Sequence, residues 1–514
     1  MVIKMALLVL FLISTILVGL YSKKHTNNVN DFVLGGRDVG PWLTAFAYGT
    51  SYFSAVVFVG YAGRFGWNFG LASTWIGLGN AAIGSLLAWI VLGRRTRVMT
   101  NHLKASTMPE YFEKRYKNKN LRMAAALISF FFLIPYTASV YNGLSYLFEM
   151  AFKIPFAACI IIMAIFTTIY VILGGYKATA INDFIQGIIM IAGIIAVVGC
   201  TLEQKGGFLK AVESLSKTKP MANEAFPING DGIFASFFGP NPMALLSVIV
   251  LTSLGTWGLP QMVQKFYAIK SEKSIKTGTI ISTFFAVVVA GGCYFLGGFA
   301  RLFSDKVVGE DGTVFFDRVI PTMLSGLPDI IIGVVIVLVL SASMSTLASL
   351  VLTSSTTIAL DFVKGFINPK ISEKAQLLVL RTMIFVFVAL SVLLSLLSSN
   401  GIISISDLMG ISWGALAGAF LGPFMYGLYW KGTTGISVWA SFISGVAITV
   451  GSMLAGNVLS SAESGALAMI VSLIIVPVVS LITPKMDNKE LDEIFACYEE
   501  KVVVTKREAY EEQE

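Results

Sequence analysis

About thirteen apolar stretches, most near twenty residues long, follow one another along this chain, and that is the length a helix needs to cross hydrocarbon. They cover residues 5–21, 42–61, 72–92, 123–151, 154–173, 178–202, 243–267, 277–303, 327–360, 378–397, 402–429, 435–455 and 466–483. Hydrocarbon holds no water to satisfy a peptide group, so each stretch must close its own hydrogen bonds as a helix. The expected fold class is an all-α polytopic membrane protein. Composition agrees: 13% of residues are charged, against roughly 25% in soluble domains.

Charge then sets the expected orientation. Lys and Arg number 37 against 30 Asp and Glu, and the basic residues gather in the loops at 22–40, 94–122, 270–276 and 364–374. The loop at 304–326 instead carries Asp305, Glu310, Asp311 and Asp317 against Lys306 and Arg318. Basic loops stay inside, which places the N-terminus outside and the C-terminal tail in the cytosol of a cell membrane. The positive balance is therefore a matter of topology and not a nucleic-acid footprint. The first stretch has no small-residue cleavage pattern and runs directly into Lys23 and Lys24, so an uncleaved span is expected.

Several functions are excluded. No phosphate-cradling glycine loop is present, so ATP does not drive this chain. Its two histidines, His25 and His102, both fall in loops, which rules out an intramembrane imidazole relay and any Ser-His-Asp or Cys-His arrangement. The four cysteines, Cys159, Cys200, Cys293 and Cys497, have neither metal-site nor disulfide spacing. No enzyme is expected.

The chemistry concentrates in SASMSTLASLVLTSSTT, residues 341–357, where ten hydroxyl side chains sit inside an apolar stretch. A hydroxyl in hydrocarbon either bonds back to its own helix or lines something polar. Ala342, Ser345 and Thr346 stand at i, i+3 and i+4, which puts a carbonyl and two hydroxyl oxygens on one helix face. Neutral oxygens at mid-membrane depth suit a small alkali cation.

Two spans are interrupted. AYGTSYFS (47–54) and TSLGTWGLPQ (252–261) carry glycine, hydroxyl residues and, in the second, Pro260. They lie five spans apart, each opening a candidate five-helix unit, and paired interruptions of this kind mark a binding site at a repeat interface. A plain kink repaired by neighbouring helices is the alternative for either alone. Asp183 begins the sixth span, where it either serves function or caps the helix N-terminus. Glu149, Asp329 and Asp361 are expected as solvated or capping groups near helix ends. Asp407 is expected at a vestibule, and Lys265 either to snorkel or to pair with Asp183. Tyr52, Tyr136, Trp75 and Trp257 are candidate cavity aromatics.

These motifs resemble the sodium:solute symporters, over essentially the whole chain after Asp31. DFVLGGRDVGPWLTA (31–45), ILGGYKATAINDFIQ (172–186), MSTLAS (344–349) and GPFMYGLYWKGTTG (422–435) carry the resemblance, with Asn182 where threonine is more usual. It implies a leucine-transporter-like 5+5 inverted repeat with one helix before and two after, cycling by alternating access on sodium. The implied divisions are 1–40 (first helix and linker), 41–202 and 243–429 (the repeats), 203–242 (external loop), 430–483 (two peripheral helices) and 484–514 (tail). The implied sodium site joins the carbonyls of Thr50 and Phe53 to Ala342, Ser345 and Thr346, with Asp183 and Ser349 as a second sodium or relay site. The implied substrate pocket is Tyr52, Asn80, Tyr136, Thr256, Trp257 and Gln261. Where proline carriers have aspartate and tryptophan this chain has Tyr52 and Thr252, which counts against proline. Pro260-Gln261 likewise departs from the sugar carriers. Sodium and a small polar solute are the expected ligands, lipid the surrounding partner, and the oligomeric state stays open. A proton-coupled carrier using Asp183, or a sensor or channel on the same fold, are the alternatives.

Overall fold

The computed structural model describes residues 2–23, 29–222, 224, 226–310, 312–398, 403–456 and 458–498; Lys24, His25, Asp311 and residues 499–514 lie outside these. Among the described residues ten helices are long and apolar enough to cross a membrane, eleven when one bent pair counts as a span, and none forms a strand.

Two of the longest helical segments exceed any single crossing. Val56–His102 and Phe156–Glu203 hold 47 and 48 residues, which as straight rods would extend ~70 Å against a hydrocarbon core of about 30 Å. Glycine divides both. Gly70 (φ 60°) ends the first half of one, and Gly175 (φ 56°, ψ −161°) kinks the other, a backbone that only glycine adopts freely. The divisions separate the stretches expected at 42–61 and 72–92, and at 154–173 and 178–202. Elsewhere apolar residues run past helix ends. The helix expected at 277–303 is Lys273–Gly297, because the chain turns at Gly298 and Phe299 while still apolar.

Enclosure sorts the helices. The most apolar windows of Asp329–Ile367 and Ile405–Tyr429 are 78% and 89% buried, against 22% for Lys4–Tyr21 and 28% for Glu373–Ser398. The hydroxyl-rich helix is thus central, and the first helix is a peripheral one. Outer helices turn Phe131, Ile161, Ile165, Leu393 and Leu397 outward, as a lipid-facing surface requires. Small residues let the inner helices approach closely. A Cβ on Gly66 would stand 2.0 Å from the Gly297 carbonyl oxygen, so those two backbones touch.

The segment between residues 203 and 242 is folded. It carries the helix Phe208–Ser216, and Glu224 receives both guanidinium nitrogens of Arg301 at 2.9 Å and the Trp67 indole N–H at 3.0 Å. The tail begins as a helix, Asn488–Phe495, whose Phe495 ring lies under the Arg115 guanidinium.

Candidate functional site

The first broken helix supplies half of the site. Pro41–Tyr52 stops at Phe53, which is extended (φ −109°, ψ 126°), and helical structure resumes at Ala55. Two serines satisfy the amides freed by the break. Ser54 Oγ accepts from Val56 N at 3.2 Å, and Ser343 Oγ, from the hydroxyl-rich helix, accepts from Ala55 N at 3.1 Å. The break is therefore built into both helices.

Opposite it stands the face bearing Ala342, Ser345 and Thr346 on the helix Asp329–Thr356. Thr346 Oγ1 lies 3.1 Å from the Ala342 carbonyl oxygen, 3.4 Å from that of Phe53, and 3.5 Å from those of Thr50 and Ser51. Ser345 Oγ donates to Thr50 Oγ1 at 2.7 Å, which in turn donates to Phe46 O. All these residues are buried. One hydroxyl owns one proton, yet four carbonyl oxygens converge on it. Such an arrangement leaves negative potential unspent, and a small cation is the complementary charge.

Of the residues expected at a second site, Ser349 lies one turn along the same helix. Ser349 Oγ is 2.9 Å from Ser51 Oγ and accepts from Lys265 Nζ at 3.0 Å. Asp183 is fully enclosed, eight residues past the Gly175 kink, so it does not cap that helix. Neither of its carboxylate oxygens meets a hydrogen-bond donor, although Lys265 and Ser345 flank it. Lys265 does not snorkel; it is 2% exposed.

The expected substrate residues divide into two groups. Tyr52 stacks on Phe53 and Trp413, and its hydroxyl donates to Thr252 O at 2.5 Å. Asn80 Oδ1 accepts from Thr252 and Ser253, leaving Nδ2 without a partner. The Tyr136 hydroxyl and both amide atoms of Gln261 are buried without partners. By contrast, Thr256 donates to Gly84 O and Trp257 Nε1 to Ile83 O, each at 3.0 Å, so their polar atoms are spent on helix packing. A residue without a sequence signal joins the first group. Trp413 meets Tyr136 edge-on with ring centres 5.8 Å apart, and its indole N–H is buried and unpartnered.

Two further expectations are corrected. Trp75 is no cavity aromatic; its indole N–H bonds Phe237 O in the segment between residues 203 and 242. Asp361 is not solvated but enclosed, accepting from Arg122 Nε at 2.8 Å and Thr107 Oγ1 at 2.7 Å. Asp329 is solvated near its helix end as expected, in the first turn of Asp329–Thr356, and its exposed carboxylate also pairs with Lys4 of the first helix at 2.8 Å. Asp407 accepts from Arg64 at 2.8 Å and Ser461 at 2.7 Å, two residues that line a cleft of about 530 Å³ beside Phe65 and Asn241.

Known proteins resemble this chain in sequence and in fold. The family model described as the sodium:solute symporter family matches residues 32–445. The chain is 28% identical to the osmoregulated proline transporter OpuE of Bacillus subtilis over 486 residues, 93% of this chain and 94% of that protein. It is 30% identical to a sodium/proline symporter of Haemophilus influenzae over 451 residues, 86% of each. In fold it resembles the substrate-bound outward-open state of a Na+-coupled sialic acid symporter, with TM-score 0.74 at 18% identity over 94% of this chain and 98% of the other. It also resembles Mhp1, a nucleobase-cation-symport-1 family transporter in a closed conformation, with TM-score 0.52 at 14% identity over 91% and 99% of the two chains.

Proposed function

Because this chain belongs to the sodium:solute symporter family, an all-helical group of sodium-coupled symporters and not of enzymes, we propose that its coupling ion binds between the first broken helix and the hydroxyl-rich helix. Its ligands are the carbonyl oxygens of Thr50, Phe53 and Ala342 and the hydroxyls of Ser345 and Thr346. The observation that carries this is the convergence of four carbonyls on Thr346 Oγ1. A bound sodium ion turns that unspent potential into a tie between two helices, favouring the conformation in which they are together. An ion shifts a conformational balance only through such differential contacts, and this one does so by alternating access across the repeats 41–202 and 243–429.

The solute site is the enclosed group of Tyr52, Asn80, Tyr136, Gln261 and Trp413. It offers aromatic faces and unspent amide, hydroxyl and indole groups without a charged side chain. This suits a small polar solute of zero net charge. Proline, the solute named for the two relatives, is of that class, but Tyr52 and Thr252 stand where the proline carriers differ. We place the N-terminus outside and the C-terminus in the cytosol of the cell membrane, on the basic loops at 94–122 and 270–276. One sodium ion crossing 100 mV releases ~2.3 kcal/mol. A tenfold gradient adds about 1.4 kcal/mol, so one ion sustains several-hundredfold accumulation.

Screening uncharged, zwitterionic and charged solutes for thermal stabilisation, with sodium or choline, identifies the ligand. Uptake of that ligand into proteoliposomes should then collapse when choline replaces sodium. Uptake that persists in choline defeats the proposal.

A further inference from the structure

The enclosure around Asp183 is built as a cation site would be. A carboxylate with two unpartnered oxygens stands near the hydroxyl of Ser345, and Lys265, which acts on it, also meets Ser349, whose hydroxyl reaches Ser51 on the first broken helix. A second sodium ion would ask for this set. The structure, however, already brings a cation there. Lys265 lies on Pro260–Ala268, the second half of the other broken helix, and its ammonium is directed inward, away from solvent. It donates to Ser349 Oγ at 3.0 Å, lies 5.1 Å from the centre of the Tyr176 ring, and is the opposite charge to Asp183.

We infer that the Lys265 ammonium is a tethered second cation, so that this carrier binds one sodium ion per cycle and not two. An ammonium is a compact point charge: it donates to Ser349, faces the Tyr176 ring, and acts on the Asp183 carboxylate through its charge and not through a hydrogen bond. Removing Asp183 from water is costly unless an opposite charge accompanies it, and Lys265 supplies that charge permanently. A sodium ion entering beside it would set two cations against one carboxylate, in a place with little water to screen them. Its other ligand, Ser349 Oγ, is already shared between Lys265 and Ser51. The tether also explains why the enclosed carboxylate needs no hydrogen bond from its own helix.

The inference rests on the five-oxygen site being where sodium binds, and counting bound radioactive sodium on the purified full-length protein separates the two ideas. Wild type should bind one ion per chain. Lys265→Met, which removes the charge but keeps the reach, should bind two, with a Hill coefficient above one. Lys265→Met with Asp183→Asn should return to one, and Lys265→Arg should stay at one. Two ions on wild type, or one on a folded Lys265→Met, overturns the tethered cation while leaving the five-oxygen site intact. If Lys265→Met does not fold, the wild-type count decides: one supports the inference and two overturns it. Complete loss of sodium binding in Lys265→Met/Thr346→Val, set against one ion in Thr346→Val, also overturns it. An ion retained at full affinity by Thr346→Val and lost on Asp183→Asn refutes the five-oxygen reading, and the inference with it.

Discussion

Thr346→Val exchanges a hydroxyl for a methyl group of nearly the same size, so it removes one sodium ligand while leaving the packing between helices almost unchanged. In the structure Thr346 Oγ1 is the point on which the carbonyls of Thr50, Ser51, Phe53 and Ala342 converge, at 3.1 to 3.5 Å. A polar contact to a charged group is worth about 1.5–3 kcal/mol. Since 1.4 kcal/mol is a factor of ten, half-saturating sodium should rise roughly 10- to 150-fold. The assay is sodium-dependent thermal stabilisation of purified protein at constant ionic strength, with choline as the replacement. Ser355→Ala is the control: Ser355 lies on the same stretch but bonds back to Val351 O at 2.6 Å, and its loss should leave sodium half-saturation within about twofold, as a hydroxyl far from the ion should. A Thr346→Val protein that matches wild type in sodium half-saturation would refute the reasoning, because the oxygen at the centre of the carbonyls would then be no ligand.

Other consequences follow from the same geometry. Trp413→Phe keeps the ring but removes the unpartnered indole N–H, so affinity for the solute should fall by about 2- to 10-fold with sodium half-saturation unmoved; equal shifts in both would mark a merely structural role. Gly66→Ala drives a Cβ into the Gly297 carbonyl oxygen and should cost ~1–3 kcal/mol or more, lowering the melting temperature. Gly451→Ala, where nothing lies within 4 Å, should not, and equal melting points would contradict the close crossing. Asp317 lies outside the spans, on Phe316–Leu324, and burial pushes its carboxyl from 3.8 up to about 6 despite the Ile405 amide and Arg64. Between those values the folded protein holds a proton that the unfolded chain has released, so stability should fall as pH rises from about 4 to about 6. Asp317→Asn should flatten that slope, and an unchanged slope in a thermal pH series would show that Asp317 does not cause it.

What the chain disclosed without its structure was governed by short-range rules. Apolar length forces helices in hydrocarbon whatever they pack against, so the stretches expected at 327–360 and 402–429 hold the helices Asp329–Thr356 and Ile405–Tyr429. The 3.6-residue period alone places Ala342, Ser345 and Thr346 on one face. Choices made between helices were hidden. Whether Trp257 and Thr256 face a cavity depends on their neighbour, the π-helical segment Asn80–Leu87, which offers the carbonyls of Ile83 and Gly84 to their N–H and O–H groups. Trp413 sits in an apolar stretch with no local mark that its indole N–H goes unpaired. Asp361 reads as an end-of-helix carboxylate until Arg122 and Thr107, from distant parts of the chain, are seen to close over it. Lys265 reads in the sequence as a lysine that either snorkels or pairs with Asp183, and only the packing of the helices decides against snorkelling by enclosing it on Ser349.

A high-resolution map of the full-length protein, collected in sodium and again in choline, confronts the account most directly. Sodium-dependent density should stand among the carbonyl oxygens of Thr50, Phe53 and Ala342 and the hydroxyls of Ser345 and Thr346, with the Lys265 side chain still on Ser349. Density that instead appears between Asp183 and Ser349, with Lys265 displaced and the carbonyl cluster vacant in both maps, would contradict it.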